Sequence, residues 1–204
     1  MIIINQGNLL TADAEALVNT VNTVGVMGKG MALQFKRDYL ANYKAYRTAC
    51  AARKVSLGGM FVFDSARPGP RRYMINFPTK GHWRASSRLE DIRAGLADLV
   101  RVVRQKEITS VAVPALGCGN GGLDWGKVRP MIEQAFAELP EVRVLLFPPE
   151  GAHDSVDMPV VTGSRTAGQP SEGLTGSSAT AINDAARVPT AQTTTADAAL
   201  ISES

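Results

Sequence analysis

Apolar and polar positions follow two different periodicities along the first 150 residues. Short apolar runs bounded by turn residues are typical of buried strands. They predict six strands, near Ile2–Asn5, Ala16–Asn22, Gly59–Asp64, Arg72–Phe77, Ser110–Pro114 and Val142–Phe147.

The segments between these runs show the apolar periodicity of helices. The clearest helix is predicted from about Arg88 to Gln105, with Ser87-Arg88-Leu89-Glu90 as a capping box. Its apolar stripe consists of Leu89, Ile92, Leu96, Leu99, Val100 and Val103. Further helices are predicted after Gly30, around Tyr39–Ala52 and from about Gly126 to Leu139. Alternating strands and helices predict an α/β fold, a three-layer α/β/α sandwich around a mixed six-stranded sheet.

The composition changes after residue 150. Ala, Ser, Thr, Gly and Pro supply 33 of the 54 residues from 151 to 204, and no residue there is aromatic. Because so little apolar surface cannot offset the entropy of ordering the chain, we predict one domain over residues 1–150 and a disordered, low-complexity tail over residues 151–204.

Overall composition is that of a globular protein, with 45% hydrophobic and 20% charged residues. No apolar run approaches the roughly 18 residues that span a bilayer, and the start of the chain has no basic leader, so we expect a cytoplasmic protein without membrane contact. Two cysteines and two histidines have no zinc-site spacing, so neither a metal nor a disulfide is expected.

Charge is unevenly distributed. Residues 1–150 contain 20 Lys and Arg against 13 Asp and Glu, whereas residues 151–204 contain 2 against 6. A basic folded domain is compatible with a nucleic acid or another phosphate-rich ligand, although a scattered positive surface is the commoner explanation.

Two glycine-rich turns each follow a predicted strand and precede a predicted helix. The first glycine loop is Gly-Val-Met-Gly-Lys-Gly at residues 25–30, and the second is Gly-Cys-Gly-Asn-Gly-Gly at residues 117–122. Such turns bring main-chain N–H groups and the positive end of a helix dipole to an anion. One alone is an ordinary tight turn, but the pair predicts a diphosphate held between them. Neither matches a nucleotide triphosphatase or dinucleotide-binding motif.

Three polar side chains fall beside these loops. Asn8 either reads an adenine edge or caps a turn, and Asn22 either bonds a sugar hydroxyl or is a satisfied buried amide. Lys80 lies between a strand end and a glycine. An exposed lysine is the ordinary interpretation, but Lys80 would be a nucleophile if burial together with Lys29 or Arg84 lowered its pKa. Lowering the pKa from about 10.4 to near 7.4 requires about 4 kcal/mol.

The loops lack a pair of carboxylates. Asp124 is expected to cap the following helix, and no second carboxylate provides the acid/base pair of ordinary glycosidases. Cleavage of a glycosidic bond here therefore needs a leaving group that departs easily, or a lysine in place of the carboxylate nucleophile.

Three segments together resemble the macrodomain, the ADP-ribose-binding fold, over residues 1 to about 150. They are residues 20–32, 76–80 and 117–125, and they look most like the DarG branch, DNA ADP-ribosyl glycohydrolases paired with the DarT toxin. The resemblance implies that Lys80 is catalytic with support from Asn22 and that no cofactor is needed. It implies ADP-ribose contacts from Asn8, Leu9, Thr20, Val21, Asn22, Met31, Pro78, Gly117, Cys118, Gly119, Asn120 and Gly121. Two positions depart from relatives: Asn8 and Gly121 stand where, respectively, many macrodomains and the human terminal ADP-ribose glycohydrolase carry Asp.

We therefore expect a monomeric hydrolase that removes ADP-ribose from thymidine in single-stranded DNA, in DNA repair opposing a DarT-type toxin. Alternatives are a hydrolase of ADP-ribosylated protein carboxylates and a non-catalytic ADP-ribose reader. A DNA surface is predicted around Trp83, whose ring could stack on an unpaired base. Its basic residues would be Arg67, Arg71, Arg72, Lys80, Arg84 and Arg88, and the alternative is that these charges only keep the protein soluble.

Overall fold

A computed structural model describes residues 1–151 of the chain; residues 152–204, and with them the predicted tail, lie outside the described part. The strands are β1 (Ile2–Ile4), β2 (Ala16–Asn22), β3 (Phe61–Asp64), β4 (Tyr73–Lys80), β5 (Ser110–Pro114) and β6 (Arg143–Phe147). The helices are α1 (Gly30–Asp38), α2 (Leu40–Ala51), α3 (Leu89–Gln105) and α4 (Trp125–Phe136), with a short 3₁₀ turn at Leu9–Thr11. None of these helices is long and apolar enough to cross a bilayer.

The six strands form one mixed sheet in the order β1-β6-β5-β2-β4-β3. β3 is antiparallel to β4, and every other neighbouring pair is parallel. The predicted mixed six-stranded sheet is confirmed. Because β2, β4, β5 and β6 run in one direction, the loops that follow them emerge at the same edge of the sheet.

Successive residues of the central strands enter different layers of the core. In β2, Ala16 and Val18 pack in the cluster that contains Ile92 of α3 and Ile132 of α4, whereas Leu17 packs with Phe35 of α1. A third cluster joins residues of α2, among them Tyr46, to the end of β2. This period of two is that of a sheet covered on both faces, and it confirms the three-layer sandwich.

Strand β4 is longer than predicted. The prediction ended it at Phe77, and the next residue is Pro78, which is unfavourable inside a central strand. The structure continues it to Lys80, with Val21 of β2 opposite Pro78 and a bulge between Val21 and Asn22. The bulge accommodates the irregular pairing, so Lys80 lies on the strand itself and not in a loop.

The predicted capping box at the start of α3 is wrong. The residue that caps α3 is Arg88, which makes no side-chain capping hydrogen bond. Ser87 instead packs under the second glycine loop, where its N–H donates to the Gly121 carbonyl at 3.0 Å. At the start of α4 the Asp124 carboxylate accepts from the Gly126 N–H at 2.9 Å, which confirms its predicted cap. α4 ends at Phe136, before the predicted Leu139, which is nevertheless buried.

Candidate active site

The two glycine loops and Lys80 meet at the carboxyl edge of the parallel strands. The first loop follows β2, the second follows β5, and Lys80 ends β4, which pairs with β2. The last pair of this ladder joins Asn22 and Lys80. In open α/β sheets this edge is where ligands bind.

Lys80 is held by the second glycine loop. Its Nζ donates a hydrogen bond of 2.6 Å to the main-chain carbonyl of Asn120. Burial lowers the pKa of Lys80 from its ordinary value, while Lys29 and Arg84, which were expected to help, make no contribution. Desolvation disfavours the ammonium form, so the neutral amine is more accessible here than on an exposed lysine.

Asn120 also joins the second loop to the first. Gly30 has a positive φ of 54°, and a Cβ on Gly30 would lie 3.3 Å from the Asn120 side-chain nitrogen. The Asn120 carbonyl thus reaches Lys80 while its amide lies against the end of the first loop. This contact brings the two glycine loops together, as a shared diphosphate site requires.

Close packing fixes the shape of the second glycine loop. A Cβ on Gly121 would overlap the Gly117 carbonyl oxygen and the Ser87 Oγ. Gly117 has a φ of 72° and its carbonyl accepts from the Leu123 N–H at 3.0 Å. An Asp at position 121, as in the human relative, would not fit without rearrangement of this loop.

Cys118 is a half-buried free thiol within the same loop. Burial, assisted by the negative charge of Asp124, raises its pKa to about 11. The thiol is therefore protonated near neutral pH and is a poor nucleophile. No group of three His, Cys, Asp or Glu side chains that could hold a metal occurs within residues 1–151.

The side chain of Asn22 organises the first glycine loop. Its Oδ1 accepts from the N–H groups of Val24 and Val26 at 3.1 and 3.2 Å, and its Nδ2 donates to the Val26 carbonyl at 2.6 Å. The Tyr46 hydroxyl donates to the main-chain carbonyl of Asn22. Asn22 is thus a satisfied buried amide, and no hydrogen bond between its side chain and Lys80 occurs among the described residues.

Asn8 caps the 3₁₀ turn, with its Oδ1 accepting from the Leu10 N–H at 3.0 Å. The prediction that Asn8 caps a turn is therefore confirmed, and its contact with adenine stays a prediction. Leu9 is only 2% exposed, so its side chain belongs to the core and only its main chain could touch a ligand.

The remaining residues predicted to bind ADP-ribose divide by burial. Some expose side chain or main chain at the site: Thr20, Met31, Cys118, Gly119 and Asn120. Others are buried: Val21, Pro78, Gly117 and Gly121. Tyr46 and Ser87, which support the first and the second glycine loop respectively, were not predicted from the sequence. For Tyr46 a signal existed, because a buried tyrosine hydroxyl needs a hydrogen-bond partner.

The structure corrects the predicted basic surface. Arg67, Arg71 and Arg72 precede β4 and therefore lie at the opposite edge of the sheet from Lys80, roughly 23 Å away along the strand. There Arg72 pairs with Asp64 at 3.0 Å. The prediction that these three arginines bracket the catalytic loop is wrong.

An exposed aromatic cluster does follow Lys80 directly. Trp83 is 44% exposed, the Arg84 guanidinium lies 4.4 Å from its ring centroid, and the His82 ring centroid lies 5.2 Å away. Gly81, between this cluster and Lys80, accepts from the Thr23 hydroxyl at 2.7 Å. We refer to residues 82–84 as the Trp83 cluster.

Known proteins resemble this chain in sequence and in structure. The family described as Macro domain matches residues 18–132. A protein of Mycobacterium tuberculosis named DNA ADP-ribosyl glycohydrolase is 54% identical over 157 residues, which cover 77% of this chain and 45% of that protein. The solved macrodomain of Mycobacterium tuberculosis DarG is 56% identical with a TM-score of 0.72, covering 73% of this chain and 98% of that one.

A further solved structure is described as Thermosipho africanus DarTG in complex with ADP-ribose. It is 31% identical with a TM-score of 0.67, covering 74% of this chain and 42% of that one. The similarity to solved structures therefore extends over about three quarters of the chain. The chain itself spans less than half the length of the curated glycohydrolase that it matches.

Proposed function

This chain belongs to the macrodomain family, and from that premise we propose that it is a hydrolase that removes ADP-ribose from nucleic acid. The substrate would be ADP-ribosylated thymidine in single-stranded DNA. The observation that carries the proposal is Lys80, a half-buried amine of lowered pKa that projects from the last residue of β4 and is held by the second glycine loop.

ADP-ribose fits the space between those loops for a physical reason. Glycines at positions 119 and 122 are exposed and leave main-chain groups accessible to a diphosphate, and the start of α1 adds the positive end of a helix dipole. The distal ribose would then lie toward Asn22 and Lys80. Every residue assigned to this ligand lies within residues 1–150, so we also propose that this part suffices for binding.

Lys80 would act on the anomeric carbon of the distal ribose. As a neutral amine, its Nζ attacks that carbon while the glycosidic bond breaks, and the electron pair of that bond leaves with the thymine imide nitrogen. Water then hydrolyses the lysine–ribose adduct, which frees ADP-ribose and regenerates the amine. As an ammonium, it would instead stabilise charge on the departing base. A thymine anion is delocalised, so it departs without a strong general acid. This suits a site where Asp124, the carboxylate that follows the second loop, is used as a helix cap.

Asn22 contributes through the shape of the first loop. Its amide bonds Val24 and Val26, so the loop beside Lys80 keeps one conformation while the substrate is positioned. In this proposal Asn22 supports Lys80 as a positioning residue.

The Trp83 cluster supports DNA as the substrate class. A modified thymine is inaccessible inside a paired stack, so it must be single-stranded or flipped out. An exposed tryptophan with a guanidinium over its ring, directly after Lys80, provides a stacking surface and a phosphate contact for such a strand.

The relatives support the same activity and suggest a partner. The Mycobacterium and Thermus relatives are named DNA ADP-ribosyl glycohydrolase, and the Thermosipho relative is a fusion with a DNA ADP-ribosyl transferase. We therefore propose that the activity reverses modification by a DarT-type toxin. The monomeric state and the cytoplasmic location stay predictions.

The proposal is tested by giving the purified chain two substrates in parallel, an ADP-ribosylated single-stranded oligonucleotide and a protein ADP-ribosylated on carboxylates. Release of ADP-ribose from the oligonucleotide, with little or none from the protein, is the expected result. Release from the protein alone would replace DNA with protein carboxylates as the substrate. Binding of ADP-ribose without release from either would identify a reader.

A further inference from the structure

A second concave surface lies on the outer side of the first glycine loop. It has a volume of about 410 Å³, and its walls are residues 24–28 of the loop together with Lys36 of α1 and Tyr43 and Arg47 of α2. We call it the Tyr43 groove. The first glycine loop is shared with the proposed diphosphate site, whereas Lys36, Tyr43 and Arg47 are not among the residues assigned to ADP-ribose.

Basic and aromatic groups dominate the side chains of this groove. Lys36 Nζ lies 4.7 Å from the centroid of the Tyr43 ring. Arg47 packs against the first loop, where a Cβ on Gly25 would lie 3.6 Å from its Cγ. Within residues 1–151 neither Lys36 nor Arg47 forms a salt bridge, and no carboxylate lines the groove. The cations are therefore not neutralised by the described part of the chain.

The loop itself adds apolar surface. Val24 is 47% exposed and Val26 is 40% exposed, which is high for valines held in a fixed turn. An aromatic ring, two cations and exposed apolar groups together match the two features of a single strand of nucleic acid, stacked bases and a phosphate backbone. The volume falls within the roughly 300–1,000 Å³ of sites that enclose a small ligand, so it can receive one nucleotide.

The Tyr43 groove and the Trp83 cluster both begin next to the same hydrogen bond. The Thr23 hydroxyl bonds the Gly81 carbonyl, next to Lys80. The wall of the groove begins one residue after Thr23, and the Trp83 cluster begins one residue after Gly81. A strand whose modified nucleotide lies at Lys80 could therefore extend over the Trp83 cluster in one direction and toward the groove in the other.

We propose that the Tyr43 groove binds the nucleotide that neighbours the modified thymidine in single-stranded DNA. Its base replaces Lys36 over the Tyr43 ring, and Lys36 and Arg47 contact its phosphates. This inference rests on the proposed function, because it assigns the path of the same substrate. It extends that function by naming a second contact surface, formed by the side chains of Lys36, Tyr43 and Arg47.

The test uses the full chain and an unmodified single-stranded oligothymidylate, whose binding is followed by fluorescence anisotropy at several salt concentrations. Tyr43→Leu is expected to weaken binding about fivefold or more, since a base that stacks on an aromatic ring gains that much. Arg47→Ala is expected to weaken binding and to reduce the slope of log affinity against log salt by about 0.7, the value for one phosphate contact on a single strand. Arg67→Ala is the matched control, an exposed arginine at the opposite edge of the sheet.

The folding of each variant is checked by calorimetry with ADP-ribose, which contacts none of these side chains. Groove variants that bind the oligonucleotide like Arg67→Ala would overturn the inference, as would a wild-type chain that does not bind it. An acidic peptide such as polyglutamate that binds the groove as tightly as the oligonucleotide would replace nucleic acid with a protein partner.

The groove assignment and the proposed reaction can be refuted independently. If the wild-type chain releases ADP-ribose from a modified oligonucleotide but the groove variants bind DNA normally, only the groove assignment fails. If the groove variants lose DNA binding but the wild-type chain releases no ADP-ribose from DNA, the proposed reaction fails and the binding surface stands.

Discussion

Asn22 and Lys80 are paired at the last position of two parallel strands, directly after a bulge between Val21 and Asn22. The pairing places the last residue of β2 opposite the lysine whose amine we propose as the nucleophile. Asn22 shapes that loop through three hydrogen bonds, and Tyr46 fixes the Asn22 carbonyl. The position of Lys80 relative to the first loop thus depends on residues that need not touch the substrate.

Replacing Asn22 tests this dependence. Asn22→Ala removes the amide that bonds Val24 and Val26 and leaves their part-buried main-chain groups without these partners, so stability should fall by about 1–2 kcal/mol. Turnover should fall as well, because the loop beside Lys80 loses its fixed shape. Tyr46→Phe removes a single hydroxyl and should cost about 1 kcal/mol with a smaller loss of turnover. Chemical denaturation and steady-state kinetics measure both effects, and equal stabilities of the wild type and Asn22→Ala would contradict the structural role.

The second loop makes a sharper steric prediction. Gly121→Ala places a Cβ against the Gly117 carbonyl oxygen and Ser87 Oγ, so it should lower the free energy of unfolding by about 1–3 kcal/mol. Gly119→Ala is the matched control, because no atom lies within 4 Å of a Cβ there. Thermal denaturation compares the two variants. Equal melting temperatures would show that the loop is not packed against Ser87 as described.

The pH dependence follows from the burial of Lys80. Its pKa lies below the ordinary 10.5, and we propose the neutral amine as the nucleophile, so kcat/KM should rise with pH through the lowered pKa and level off above it. Between the lowered and ordinary pKa values the unfolded chain binds more protons than the folded chain, so Lys80 adds stability as pH rises through that window.

Cys118→Ser is the control for this profile. The Cys118 thiol titrates near 11, above the predicted window, so the substitution should leave the midpoint of the rising limb unchanged. A rate that falls with rising pH across the window would instead favour an ammonium that acts electrostatically.

The Trp83 cluster makes a prediction about substrate choice. Activity on an ADP-ribosylated single-stranded oligonucleotide should decline steeply between low and moderate salt, because phosphate contacts release counterions. Trp83→Ala and Arg84→Ala should impair that activity more than hydrolysis of a small ADP-ribosyl ester. Equal losses on both substrates, or salt dependence no greater than that of the ester, would count against DNA as the target.

Much of the fold could be predicted because each central strand and helix carries its own periodic pattern. The strands at Ala16–Asn22 and Ser110–Pro114 agree with the structure residue by residue. The end of β4 could not be predicted in this way, since Pro78 argues against a central strand and only the bulge opposite, at Val21 and Asn22, accommodates it. The capping box failed for a similar reason, because Ser87 packs under a loop that is distant in sequence.

The site was harder to predict than the fold. Glycine loops and Lys80 are visible as local motifs, but the bond from Lys80 to Asn120 joins positions 40 residues apart. The predicted placement of Arg67, Arg71 and Arg72 was wrong for the opposite reason. They are close to Lys80 in sequence, yet an eight-residue strand carries the chain from one edge of the sheet to the other between them.

Lys80→Ala tests the central claim most directly. ADP-ribose release from a modified single-stranded oligonucleotide is measured under single-turnover conditions, with calorimetry of free ADP-ribose on the same protein. Lys106→Ala is the matched control, a lysine that lies over the Tyr73 ring at the start of the same strand. The account predicts that Lys80→Ala loses turnover by about 100-fold or more while ADP-ribose affinity stays within a few fold, because main-chain groups hold the ligand. Turnover of Lys80→Ala equal to that of Lys106→Ala would contradict it.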